Sequence, residues 1–189
     1  MYQVSIFYTN NYSKYSDINK CKMVYSEIDH SSYCVVDQSV HGIQFSKESA
    51  DLLAQINIKV IEFLRAMKIA YLGKNVYLSG VTEQLLKYYN QDNLKQAIAK
   101  KDSTSFTINK GSILGMCLAN GTQFIDHNVL MYVVIHELTH IGIQDVDHTE
   151  TFWSTFKMLL DFAISQGIYK YVDYSKNPVN FCGLMITGS

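Results

Sequence analysis

Apolar residues recur along this chain with two different periods. From Ser46 to Leu72 the set Leu52, Leu53, Ile56, Val60, Phe63, Leu64, Met67 and Tyr71 returns at i, i+3 and i+4 spacing. That predicts one long amphipathic helix, capped by Ser46 and stopped by Gly73. Residues 81 to 101 predict one or two shorter helices, broken near Asn90 to Asn93. Between Ser105 and Leu118 the period falls to two. Ser105 to Ile108 alternates, Lys110-Gly111 can turn, and Ile113 to Leu118 is apolar, so this stretch predicts strands. Residues 1 to 44 are rich in Tyr, Ser, Asn and Asp, with short alternations at Val4-Ser5-Ile6 and Tyr33-Cys34-Val35-Val36. They predict loops with one or two short strands.

A second helical region is apolar over most of its circumference. Val129, Leu130, Val133, Val134, Leu138 and Ile141 leave it little polar surface, so it is expected to be buried, with Asp126 or Asn128 as its cap and Gly142 as its stop. Glu150 to Gln166 predicts a further amphipathic helix, with Phe152, Trp153, Phe156, Leu159, Leu160 and Ala163 on one side. Gly167 can end it, and Asp147 with Glu150 resembles a capping box at its start. The chain is expected to be α+β, mainly helical with a small β-sheet. Residues 1–44 are expected as an N-terminal segment packed on or leading into a domain of residues 45–189, one domain overall.

The buried helix carries chemistry. It contains His136-Glu137-Leu138-Thr139-His140, followed by His148. Residues i and i+4 of a helix lie one above the other on one face. His136 and His140 can therefore aim a ring nitrogen at one point about 2 Å away, the length of a zinc–nitrogen bond. Glu137 lies about 100° round the helix. It can flank the metal without binding it, as suits a general base acting on water there. Buried polar groups need partners, and a metal supplies one. Gly142 and the polar loop after it place His148 at a helix–loop–helix junction, where the chain can fold back as a third ligand. Asp145, Asp147 and Glu150 are rival oxygen ligands. His148 is preferred because imidazole suits zinc and no other histidine lies close downstream. A fourth position left to water is the mark of a catalytic zinc. His30, His41 and His127 are expected to be non-ligands.

The segment HELTH, with His148 and Phe152-Trp153 after it, resembles the WLM family of zinc metalloproteases, relatives of the SprT/Spartan group. The likeness extends to Ser105-Phe106-Thr107-Ile108-Asn109-Lys110-Gly111 with Cys117-Leu118, and to Pro178-Val179-Asn180-Phe181-Cys182-Gly183. The last is similar to an ending seen in WLM-like proteins of large DNA viruses. The resemblance spans about Ser26 to Ile186. It implies a zincin-like fold, one Zn2+ held by His136, His140 and His148, Glu137 as the base, and peptide hydrolysis, in some members of proteins crosslinked to DNA. Phe181 stands where many relatives have Tyr, so no hydroxyl role carries over. In zincins an edge strand beside the metal helix receives the substrate, and Ile113 to Cys117 is either that strand here or an ordinary internal one. One of Tyr169, Tyr171 and Tyr174 could steady the oxyanion.

Composition narrows the partners. The chain has 189 residues, is 48% hydrophobic and 17% charged, and carries a formal charge of −1. It can bury a core, and it has no chain-wide attraction to nucleic acid or anionic membrane. Any DNA contact would be local, weak or supplied by a partner. Lys95, Lys100 and Lys101 are either favourably placed on a helix dipole or a local phosphate contact. Protein or peptide is the expected substrate, and oligomeric state is not legible. Cys21, Cys34, Cys117 and Cys182 form no C-x-x-C pair and suggest no disulfide framework, so they are expected as small buried groups in a reducing, intracellular compartment. No apolar run reaches the ~18 residues of a membrane span, and an anchor upstream of Met1 is left open. The alternative to an enzyme is a catalytically silent, zinc-bound protein-interaction module. Intact Glu137 favours the enzyme.

Overall fold

The structure is a computed structural model, and it describes residues 21–36, 42–98, 105–143 and 147–188. The arrangement is mixed α+β, with four helices and small sheets among the described residues. A hairpin of β1 (Cys21–Tyr25) and β2 (Ser32–Val36) leads to helix α1 (Gly42–Tyr71), then α2 (Val76–Tyr88), a 3-10 turn at Gln91–Asn93, and β3 (Leu94–Gln96). Strands β4 (Phe106–Ile108) and β5 (Ile113–Met116) follow. Then come the two-residue strands β6 (Ala119–Asn120) and β7 (Gln123–Phe124), helices α3 (His127–Gly142) and α4 (Glu150–Ser165), and a closing hairpin, β8 (Val179–Phe181) with β9 (Leu184–Ile186). The N-terminal alternation at Val4-Ser5-Ile6 lies outside the described residues, as do His41, Lys100, Lys101 and Asp145.

The main sheet runs β1-β2-β3-β5-β4. Its centre is parallel, Cys34 facing Lys95 and Leu94 facing Leu114, and both margins are antiparallel. β2 and β3 meet through a short parallel register, reinforced by the Val36 N–H, which donates to Gln96 Oε1 at 3.1 Å. The stretch at 94–96 was expected to continue a helix. It is a strand because Leu94 and Gln96 are both buried in the slot between β2 and β5, where only extended backbone completes the ladder. β5 is internal, paired with both β3 and β4, so the segment Ile113 to Cys117 is not an edge; among the described residues the marginal strand beside α3 is β4.

Helix starts are decided by contacts as much as by caps. α1 begins at Gly42, and Ser46 is buried within it rather than capping it. Phe45 in its first turn stacks on Phe124 at 4.6 Å, so tertiary contact anchors this end. α2 begins at 76, with the Asn75 side chain accepting from the Leu78 N–H. α4 starts from Thr149, whose Oγ1 accepts from the Phe152 N–H at 3.2 Å, instead of from an Asp147 capping box. Gly73 and Gly167 adopt left-handed φ after α1 and α4, as a helix stop requires. Gly142 does not. A Cβ there would lie 2.8 Å from Val81 Cγ1, so this glycine permits close approach of α2 to α3.

α3 sits at the centre. Every residue from Val129 to Gly142 is buried, with α2 and α4 against it and α1 behind. The expectation that α1 backs the metal helix is met in part, since α2 and α4 are its larger neighbours. The closing hairpin is latched by Asn120. Its Oδ1 accepts from the Cys182 N–H at 2.7 Å, and its Nδ2 donates to the Asn180 carbonyl at 3.0 Å.

The four cysteines pair as Cys21–Cys34 and Cys117–Cys182, correcting the expectation of separate thiols. The partners of the second pair are 65 residues apart, and only the fold brings them together. The cysteines therefore no longer argue for a reducing compartment. Among the described residues, no helix is long and apolar enough to cross a membrane.

Two outcomes test this architecture. A Cβ on Gly115 would lie 2.5–2.9 Å from the Phe106 ring, so Gly115→Val should cost about 2 kcal/mol by overpacking. That should lower the calorimetric melting temperature by several degrees, and an unchanged melting temperature would contradict the β4–β5 contact. Peptide mapping without reductant should recover the pairs 21–34 and 117–182. Crossed pairs would overturn the topology.

Candidate metal centre

Asp126 caps α3, its Oδ1 accepting from the Asn128 N–H at 2.8 Å, and the helix runs unbroken through His136 and His140. The two rings stand one turn apart, with centroids 5.1 Å from each other. His148 arrives from the following loop, one residue before the Thr149 cap. Its Nε2 lies 3.0 Å from His136 Nε2 and 3.2 Å from His140 Nε2. One ligand atom from each of the three lies within 4.8 Å of the others, and among the described residues only these three form such a group.

The donor set fits a divalent cation. Ligand nitrogens at about 2.05 Å in a tetrahedron stand about 3.3 Å apart, close to the observed separations. Neutral imidazoles would otherwise have to share N–H protons among three facing Nε2 atoms, and one proton bridges only one pair. Burial, then the neighbouring His140 and His148, holds the His136 ring well below its usual pKa. Burial and then His148 lower His140 to about 3. Burial also lowers His148, while Asp147 opposes it. All three rings are therefore neutral near pH 7, the form that ligates a metal.

An aromatic wall fixes the rings. Phe152 is fully buried and lies 4.8, 4.3 and 4.7 Å from the rings of His136, His140 and His148, centroid to centroid. Trp153 stacks on His148 at 5.4 Å and an interplanar angle of 24°. The first turn of α4, which starts two residues after His148, thus supplies the surface on which that imidazole rests. His136 Nδ1 is buried with no hydrogen-bond partner among the described residues. Asp147, two residues from the Thr149 cap, therefore does not bond this nitrogen.

Glu137 is fully buried beside the triad. Burial pushes its carboxyl up to about 7, against the opposing effect of a hydrogen bond from Thr107. Thr107 Oγ1 donates to Glu137 Oε2 at 2.8 Å, while Oε1 has no partner among the described residues. Sequence reasoning missed Thr107. The resembling stretch 105–111 contains it, but its inward orientation depends on strand register.

The two rival oxygen ligands among the described residues stand apart from the triad. Asp147 and Glu150 are exposed and outside the converging group. His127, on the first turn of α3, is half-buried near Gln55, Ile58 and Lys59. His30 bonds the Tyr25 hydroxyl. Of the tyrosines considered for an oxyanion, Tyr169 and Tyr174 are buried around Tyr132, whereas Tyr171 is exposed and lines a groove with Trp153 along α4.

No protein-family model matches the chain. Among solved structures, Wss1 from Saccharomyces cerevisiae is similar with a TM-score of 0.46 and 16% identity, over 70% of this chain and 88% of Wss1. The chain is 39% identical over 87 residues to "Uncharacterized protein 042R" of Invertebrate iridescent virus 3, covering 44% of this chain and 52% of that protein. It is 30% identical over 173 residues to "Uncharacterized protein R325" of Acanthamoeba polyphaga mimivirus, covering 89% of this chain and 83% of that protein. With that identity sustained along nearly its whole length, the chain belongs to the family of the mimivirus protein.

Proposed function

We propose that the chain is a zinc metallopeptidase of the WLM type with a zincin-like fold, in which His136, His140 and His148 hold the metal and Glu137 is the general base. One observation carries this reading: three Nε2 atoms converge at 3.0 and 3.2 Å beside a buried carboxylate with one oxygen unpartnered among the described residues. A zinc ion held there supplies Lewis acidity, polarising a scissile carbonyl and making water more acidic. Glu137 Oε1 takes a proton from the attacking water as the water oxygen bonds to the carbonyl carbon. It then hands that proton to the amine nitrogen as the C–N bond breaks. Burial of the carboxylate keeps bulk water from competing for the proton. The position of β4 at the sheet margin supports strand addition as the way an extended protein or peptide substrate is held. DNA-crosslinked proteins are the narrower substrate class implied by the resemblance, and the net charge of −1 requires any DNA contact to be local.

Elemental analysis should find about one zinc per chain. Glu137→Gln should keep that zinc and the fold while losing at least about 100-fold in hydrolysis of an unfolded casein substrate. His136→Ala and His140→Ala should lose the metal. Zinc in the wild type with no turnover would instead point to the silent interaction module.

The three neutral rings also set the acid stability of the metal-free chain. An unfolded histidine takes up a proton near pH 6.5, whereas these folded rings refuse it until lower pH, so the unfolded state binds more protons. Stability should therefore fall as pH drops below about 6.5. Glu137, raised to about 7, acts in the opposite sense, but it is one group against three. In chelator, the melting temperature should decline from pH 6.5 to 5, and less steeply in His148→Ala. A rise on acidification would contradict the assignment of buried neutral rings.

A further inference from the structure

Thr107 is the middle residue of β4, paired opposite Leu114 of β5. Side chains on a strand alternate between faces. Its neighbours Phe106 and Ile108 pack with Ala97 and Ile113 in a separate small cluster. Of the three residues in β4, only Thr107 donates a hydrogen bond to Glu137, across 30 positions of sequence, and both side chains are buried. The terminal torsion of a glutamate is broad and nearly two-fold, so helix geometry alone leaves the two oxygens interchangeable. A single donor on Oε2 removes that freedom and leaves Oε1, with no hydrogen-bond partner among the described residues, as the oxygen open to take a proton. Threonine suits the task because β-branching limits its own side-chain torsion, so the hydroxyl is held in place.

We propose that Thr107 is the positioning residue for the base. Its hydroxyl holds Oε2 and thereby commits Oε1 to proton transfer. This rests on the reading of Glu137 as general base. The Thr107 hydroxyl acts through the carboxylate it bonds, not on the reacting atoms themselves. It also ties the base to the sheet margin, so the strand that flanks an extended substrate and the group that moves the proton are held in one register.

The test compares wild type, Thr107→Val, Thr107→Ser and Glu137→Gln, each with its zinc content, kcat and KM on a fluorogenic peptide, and a crystal structure of the valine variant. Thr107→Val should retain zinc and keep KM within about twofold while kcat falls about 10- to 100-fold. Thr107→Ser, which keeps the donor, should recover kcat to within about threefold. The Glu137 carboxylate should be rotated or split between orientations in the valine variant. Should that variant not fold, Thr107→Ala set against Thr107→Ser makes the same comparison. Turnover abolished by Glu137→Gln but untouched by Thr107→Val overturns this inference alone. So does a kcat loss with the carboxylate unmoved, or one that serine fails to rescue. Wild type without turnover overturns both this inference and the reading beneath it.

Discussion

Desolvation of α3 is the constraint on which the rest of the molecule depends. From Val129 to Gly142 the helix has no exposed residue, yet it carries His136, Glu137, Thr139 and His140. Each of these would cost several kcal/mol if buried without a partner. The structure answers each one separately. Thr139 Oγ1 donates back to the Ile135 carbonyl at 2.8 Å. Glu137 receives the Thr107 hydroxyl. The two histidines turn towards His148, forming a set of lone pairs that suits a cation better than it suits protons. The same burial that makes this helix costly makes its imidazoles neutral and its carboxyl a weaker acid.

The third imidazole comes from a loop, and a loop residue holds its place only if something rigid supports it. Here the support is aromatic. The Thr149 cap starts α4 immediately after His148, and the first turn of that helix delivers Phe152 and Trp153 against the rings. Phe152 reaches all three imidazoles, so its contribution is shape and exclusion of water. Because His136 Nδ1 has no hydrogen-bond partner among the described residues, orientation of that ring rests on packing.

The sheet does a different job. Its parallel centre is buried, and its last strand turns back antiparallel so that one polar residue reaches α3. Gly115 lets the Phe106 ring lie across β5, which keeps Phe106 on the far face and Thr107 on the near one. A slip of one residue would present Phe106 or Ile108 to Glu137 and leave the carboxylate unpaired. The Asn120 latch and the Cys117–Cys182 bridge hold the closing hairpin to the stretch that follows β5, so the end of the chain braces this same region.

Locally encoded features were legible from the sequence itself. The one-turn spacing of His136 and His140, the buried character of α3, the long span of α1 and the turn between β4 and β5 follow from periodicity and from residues four or fewer apart, where backbone geometry alone sets the outcome. The approach of His148 was readable for the same reason, since a helix stop and a short loop leave the chain few directions. The structure alone decided what depends on distant burial: Leu94–Gln96 as a strand, β4 rather than β5 at the margin, Phe45 in place of Ser46 at the start of α1, the Cys117–Cys182 pair and the Thr107–Glu137 bond. Those outcomes are set by which surfaces compete for the interior once the whole chain has collapsed, and no window of neighbouring residues contains that information.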